Sequence, residues 1–132
     1  MTNMELSPEI MEEARKRISW VQYKGKEIEI DDFTNLSGDE FVRLIRANAE
    51  ITLKMGKKNI LAIVDFTNSY ANKDVMDALK ETSEKTEHLL DKTAVLGITG
   101  VKKILLNFLN KVTNIGAKSF NSIEDAKEWL IS

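Results

Sequence analysis

Polar residues at the end of a predicted central strand are the first candidates for chemistry. Asp65, Thr67, Asn68 and Ser69 directly follow a short apolar run at 59–64. In open α/β sheets, ligands usually bind at the carboxyl ends of the strands. These side chains could therefore converge on a ligand. The same residue types are also typical of a turn, in which Asn and Ser bond to their own backbone and Asp65 caps N–H groups. Both interpretations stay open.

A second candidate site follows the next predicted strand, at the start of a helix. It consists of Thr99, Gly100, Lys102 and Lys103. A helix N-terminus attracts anions through its free N–H groups. Two lysines in the first turn oppose the helix dipole by about 0.3–1 kcal/mol each, and a bound phosphate, carboxylate or lipid headgroup would remove that conflict. Alternatively, both lysines extend into water.

Catalytic and metal-binding residue types are scarce. The chain has one histidine, His88, and no cysteine. Glu84 and Asp91 lie one turn from His88 on a predicted helix, where a lone histidine is typically solvated. Without cysteine or a second histidine, transition-metal sites are not expected. The pattern predicts no catalytic residues, no metal and no cofactor, and it does not favour an enzyme.

Composition predicts one globular domain. The 132 residues are 42% hydrophobic and 30% charged, with a formal net charge of −2. Nucleic-acid-binding modules normally carry a clustered basic face, which this chain lacks, so we expect no nucleic-acid partner. Its first residues do not resemble a secretory signal, and no apolar run is long enough to span a bilayer. We therefore expect a soluble, cytoplasmic protein.

The hydrophobic pattern predicts an α/β fold. A β-hairpin at 18–31 turns at Lys24, Gly25 and Lys26, and helices alternate with strands after it. Such alternation favours right-handed crossovers and a parallel sheet. We expect a mixed, mostly parallel five-stranded sheet with the hairpin at one edge, a last strand at the other and flanking helices. In the hairpin, Ile28 and Ile30 should face the core, whereas Glu27 and Glu29 should face water.

Helix boundaries are marked by capping residues. Ser37 and Glu40 form a predicted capping box, and Gly56 is a left-handed stop.

The helix at 101–112 is apolar on more than one face, which suits a ligand-pocket wall, a membrane-apposed surface or a dimer interface. Its predicted main stripe includes Ile104. We expect an N-terminal helical arm at 1–17 and a single domain at 18–132. Predicted N-caps elsewhere are Ser7, Asn72 and Ser122.

Four short motifs carry a family resemblance. They are Tyr23-Lys24-Gly25-Lys26, Ile63-Val64-Asp65-Phe66, the segment at 94–100, and Phe120 followed by the segment at 124–130. With the element order, these motifs resemble the SpoIIAA-like family of STAS-type domains, which are similar to lipid-binding CRAL-TRIO folds. The resemblance implies a non-enzymatic binding or regulatory module that acts through protein contacts, with a partner protein or as a homodimer.

Two further functions are weighed against this one. The apolar helix at 101–112, with Lys102 and Lys103, suits a small carrier of a lipid or other apolar anion. A phosphorylation switch, as in STAS proteins that antagonise anti-sigma factors, is disfavoured. Those proteins carry a serine at the helix start after the central strand, where this chain reads Asn72-Lys73-Asp74-Val75. The nearest hydroxyls are those of Thr67 and Ser69.

Overall fold

A computed structural model describes residues 6–99 and 102–132. The strands form one five-stranded sheet in the order β1-β2-β3-β4-β5. β1 and β2 are antiparallel, and the other neighbouring pairs are parallel. The elements are α1 (Pro8–Lys16), β1 (Ile18–Tyr23), β2 (Lys26–Asp32), α2 (Gly38–Met55), β3 (Ile60–Asp65), α3 (Lys73–Thr86), a 3-10 turn (Glu87–Leu89), β4 (Leu90–Leu96), α4 (Lys102–Val112), β5 (Lys118–Phe120) and α5 (Ile123–Ile131). The predicted mixed α/β sheet is confirmed.

Local sequence explains most of these boundaries. The hairpin turns at Lys24 and Gly25, both in the left-handed region, which is the geometry that two-residue hairpins require. Gly56 ends α2 with φ of 76°, as predicted. The hydroxyl and amide oxygens at the predicted N-caps accept backbone N–H groups of the first helical turn. These N-caps are Ser7, Asn72 and Ser122.

The two faces of the sheet carry different helices. One face holds the larger core, to which α1, α2, α3 and α4 contribute side chains. The other face packs against α5, where Ile28, Leu61, Ile63 and Ala94 meet Ala126 and Leu130. Because side chains alternate along a strand, neighbouring residues of β2 and β3 enter different layers.

Glu29 corrects the predicted orientation of the hairpin. It is 1% exposed rather than in water, and Asp31, two residues further, is 6% exposed. The reason is that β2 lies between β1 and β3, and helices cover both of its faces. Polar alternation indicates a solvent-facing side only for a strand with one open face. Ile28 is fully buried, as predicted.

Three local predictions are also wrong. Ser37 makes no side-chain capping bond; Gly38 follows it with φ of +64°, which bends the chain away from regular capping geometry. In α4, Leu105 and Leu106 face the core, so Ile104 is turned outward and is 67% exposed. His88 lies in the 3-10 turn after α3 rather than on the helix itself, and β4 already begins at Leu90. Asp91 therefore stands on β4, not on the helix.

Candidate functional site

The two sequence-predicted sites meet in one surface crevice at the ends of β3 and β4. Thr67, Asn68 and Ser69 line it from one side, and Thr99 and Lys102 from the other. The loops after β3 and β4 lie very close together at Gly97. A Cβ added to Gly97 would lie 2.5 Å from the Thr67 backbone nitrogen. A glycine is therefore required where the two loops cross.

Most polar groups of this crevice already bond to one another. The Asp65 Oδ1 atom accepts from both the backbone N–H and the hydroxyl of Thr67. The Ser69 hydroxyl donates to the Phe66 carbonyl, and the amide of Asn68 donates to the Asn35 side chain. These bonds form a turn network of the kind that Asp, Asn and Ser build in loops.

Lys102 has a specific position in the crevice. Its ammonium group donates to the Phe66 carbonyl at 2.9 Å and to the Gly97 carbonyl at 3.3 Å. It thus joins the ends of β3 and β4. Lys103 and Thr99 are exposed, and Gly100 lies outside the described residues. The anion site suggested by these residues stays a prediction.

A second candidate site lies in the core layer above the sheet, and the sequence-based predictions did not include its acidic residues. It is a cavity of about 110 Å³ between the sheet and helices α2, α3 and α4. Its lining is mostly apolar, and α4 contributes Leu105, Leu106 and Leu109. The pocket-wall interpretation of α4 thus agrees with the position of these leucines. A cavity of this size suits a small ligand, since engineered apolar cavities of about 150 Å³ bind benzene.

Threonines make the cavity more apolar than their residue type suggests. The hydroxyls of Thr52, Thr82 and Thr86 donate to backbone carbonyls of their own helices. All three line the cavity. Because each hydroxyl is satisfied one helical turn away, these side chains bring few free polar groups to the interior.

Three polar side chains line the cavity from the sheet. Glu29, Ala62 and Thr93 occupy one row across β2, β3 and β4, and Asp31 is two residues from Glu29 on the same face. The small side chain of Ala62 leaves space between them. Within the described residues, Glu29 Oε2, Asp31 Oδ1 and Thr93 Oγ1 are buried without a hydrogen-bond partner. Buried polar atoms usually have partners, so this row is unusual.

The two carboxyl groups differ in protonation. Burial is the main cause that raises the pKa of Glu29 to about 9; the charge of Asp31 and a hydrogen bond with it add to the rise, and Lys57 opposes it. Burial also raises the pKa of Asp31 to about 6, while hydrogen bonds with Asn48 and Glu29 limit the rise. At neutral pH the pair therefore holds one proton and one negative charge, which belong to the pair as a unit.

Sequence reasoning missed this pair for a traceable reason. The segment Glu27-Ile28-Glu29-Ile30-Asp31 reads as a half-exposed strand. The available signal was topological: a hairpin whose first strand is at the sheet edge leaves its second strand in the interior. Any acid on the helix-covered face of that strand must then be buried.

The described residues form no further candidate site around the histidine or around a metal ion. His88 is exposed. Residues 6–99 and 102–132 contain no group of three or more His, Asp or Glu side chains that could hold a metal ion. Over the same residues, every helix is too short or too polar to cross a bilayer.

Comparison with known proteins identifies a solved structure with a similar fold. Neither protein-family models nor curated proteins give a match. Among solved structures, the chain is similar to an uncharacterized DUF3478-family protein with a SpoIIAA-like fold from Shewanella loihica PV-4. The TM-score is 0.65 at 15% sequence identity, over 86% of this chain and 91% of that one. The predicted resemblance is thus confirmed at the level of architecture: the chain has a SpoIIAA-like fold.

Proposed function

We propose that this protein is a non-enzymatic binding module that takes a small, mostly apolar ligand into the cavity between its sheet and helices α2, α3 and α4. The observation that carries the proposal is the cavity itself, about 110 Å³ with an apolar wall and buried polar atoms without partners. Ligand sites in proteins commonly combine these two features.

An occupant of the cavity would stabilise the fold. Cavities cost folding free energy at about 24 cal/mol per Å³, which amounts to about 2–3 kcal/mol for this one. That is a large share of a typical stability of about 5–15 kcal/mol. A ligand that fills the space restores the lost contacts, so its binding would raise the stability of the fold.

The charge of the cavity limits which ligands a carrier of this kind could hold there. Its only titratable lining groups, among the described residues, are Glu29 and Asp31. A negative pair disfavours an anionic ligand by charge repulsion. An apolar anion of the kind that Lys102 and Lys103 suggest would therefore have to bind elsewhere. Contact with a regulatory partner protein or a second copy of the chain, which the resemblance to STAS-type domains implies, stays a prediction.

Uncharged probes test cavity binding directly. Benzene and butanol should raise the melting temperature and shift the amide NMR signals of residues around Ala62 and Thr93. Ala62→Leu should abolish both effects, because a larger side chain on the central strand fills the space that Ala62 leaves open. Ile104→Ala is the matched control, since Ile104 is the large exposed apolar side chain of α4. Probe binding that survives Ala62→Leu but disappears in Ile104→Ala would place the probe on the surface and refute the proposal.

A further inference from the structure

The polar end of the cavity has a net charge to neutralise. Glu29 and Asp31 are 1% and 6% exposed, and one proton shared between them leaves one negative charge. The O–H of a protonated Glu29 can donate to Asp31, which satisfies part of the pair. The remaining charge still lies against an apolar wall, where an unpaired ion is costly.

Cations from the chain do not reach this charge closely. No Lys or Arg lines the cavity among the described residues. Lys57 acts on Glu29 from a distance, but its ammonium group is 2.6 Å from Glu27 Oε1 and lies over the Trp20 ring. Thr93, on the strand beyond Ala62, adds a hydroxyl oxygen for which the described residues provide no partner. The site is therefore acidic, buried and incompletely hydrogen-bonded within the described residues.

We propose that the cavity recognises a small primary amine in its ammonium form, with the charged group held by Glu29, Asp31 and Thr93 and the hydrocarbon part against α3 and α4. This inference rests on the proposed function, because it requires that the cavity accept a ligand.

The donor count supports an ammonium group. An ammonium carries three N–H donors and no acceptor. Among the described residues the cavity holds three buried oxygens without a partner, Glu29 Oε2, Asp31 Oδ1 and Thr93 Oγ1. All three can accept once the pair has released its shared proton. Charge-assisted hydrogen bonds are about twice as strong as neutral ones. The apolar walls from Leu79 on α3 and Leu105 on α4 would cover a short alkyl chain.

Three probes of equal length separate charge from apolar burial: butylamine, butanol and butyrate. At pH 7 we expect butylamine to bind at least about tenfold more tightly than butanol, a difference that one charge-assisted hydrogen bond can supply. Butyrate should bind most weakly. Asp31→Asn and Glu29→Gln keep the side-chain shapes and should bring butylamine to within about threefold of butanol, well inside one decade of affinity.

Proton release gives a readout that a purely structural pair would not show. An ammonium ion beside the pair favours loss of its shared proton. Calorimetry in two buffers of different ionisation enthalpy should therefore detect proton release with butylamine and none with butanol. In Glu29→Gln the release should disappear.

The outcomes separate this inference from the proposed function. If butanol binds in the cavity but butylamine binds no better, the pair has only a structural role and the amine inference is overturned. Butylamine binding that is unchanged in Asp31→Asn overturns it as well. If no uncharged probe and no amine binds, the cavity proposal itself fails.

Discussion

The strand-end crevice and the interior cavity both contain polar groups, but these groups differ in whether they are hydrogen-bonded to the protein. In the crevice, Asp65, Ser69 and Lys102 each bond to nearby protein groups. In the cavity, Glu29 and Thr93 each bury an atom that has no partner among residues 6–99 and 102–132. In the part of the chain that the structure describes, the polar groups of the crevice thus have hydrogen-bond partners, whereas those at the acidic end of the cavity lack some of theirs.

This difference indicates which polar groups have a structural role and which are available to bind a ligand. A satisfied polar network rigidifies the fold and leaves few free groups for a ligand. An unsatisfied buried group costs about 1–3 kcal/mol, and a ligand with the right donors recovers part of that cost. The comparison therefore favours the cavity over the crevice as the binding site, and each of the following changes tests one side of it.

Gly97→Ala should have the largest effect of the single substitutions on stability at neutral pH, because it breaks the crevice network at its closest approach. The new Cβ would lie 2.5 Å from the Thr67 nitrogen, and φ is +79° at this position. We expect a loss of more than about 2 kcal/mol, since a left-handed conformation alone costs about 1–2 kcal/mol. Urea denaturation gives the free energy of unfolding.

Gly25→Ala is the control for backbone strain. Gly25 also has a positive φ, +85°, but nothing lies within 4 Å of its added Cβ. Its substitution should cost about 1 kcal/mol. Equal losses of stability at the two glycines would mean that the close contact between the loops makes no contribution to the cost of the substitution. The crevice could then not be described as the more rigid of the two regions.

The crevice was accessible to sequence reasoning because its signals are local. Asp65, Thr67 and Ser69 follow an apolar strand, and Gly97 precedes a helix. Turn chemistry and strand-end position follow from such neighbours in the chain. The same applies to the hairpin turn and to three of the helix N-caps. Most of the fold was therefore predictable.

The cavity was not accessible in this way, because its members come from distant parts of the chain. Glu29, Ala62 and Thr93 share a row only after three strands pair in register. Glu29 is buried because helices cover this face of the sheet. The alternation of polar and apolar residues in its own segment would instead predict exposure to water. Local periodicity also misplaced Ile104, because the docking angle of α4 depends on tertiary contacts.

Stability should fall as the pH rises if the carboxyl pair is buried. Burial raises the pKa of Glu29 from 4.5 to about 9, so the folded protein binds a proton that the unfolded chain releases between these values. The contribution of this group to the free energy of unfolding is therefore fully present below pH 4.5. It decreases toward pH 9 by at most about 1.4 kcal/mol per pH unit.

Glu29→Gln should flatten this dependence, because the amide does not titrate. Glu50→Gln, at an exposed position of α2, should leave the slope unchanged. Asp31 adds a smaller contribution of the same sign at lower pH, because burial raises its pKa to about 6. Chemical denaturation at several pH values measures the slope. A stability that rises from pH 5 to pH 8 would show that the pair is solvated.

Lys102→Met tests whether the crevice lysine has a structural role. The substitution keeps an apolar stem but removes the hydrogen bonds to the Phe66 and Gly97 carbonyls. We expect a loss of about 1 kcal/mol, typical of one net hydrogen bond. Lys103→Met, at an exposed neighbouring position, should have almost no effect. If phosphate stabilises the wild type and this gain is lost in both variants, the lysines bind anions and the crevice becomes a second ligand site.

Removing one hydroxyl from each region gives the smallest and most direct test. Thr93→Val replaces a buried hydroxyl without a partner by a methyl group of similar shape, so stability should stay constant or rise by up to about 1 kcal/mol. Ser69→Ala removes a buried hydroxyl that donates to the Phe66 carbonyl at 2.6 Å, and it should cost about 0.5–1.5 kcal/mol. Opposite signs in parallel thermal and urea denaturation would sharpen the comparison. A loss at Thr93 as large as that at Ser69 would mean that the Thr93 hydroxyl already has a partner, and the cavity would then be no less satisfied than the crevice.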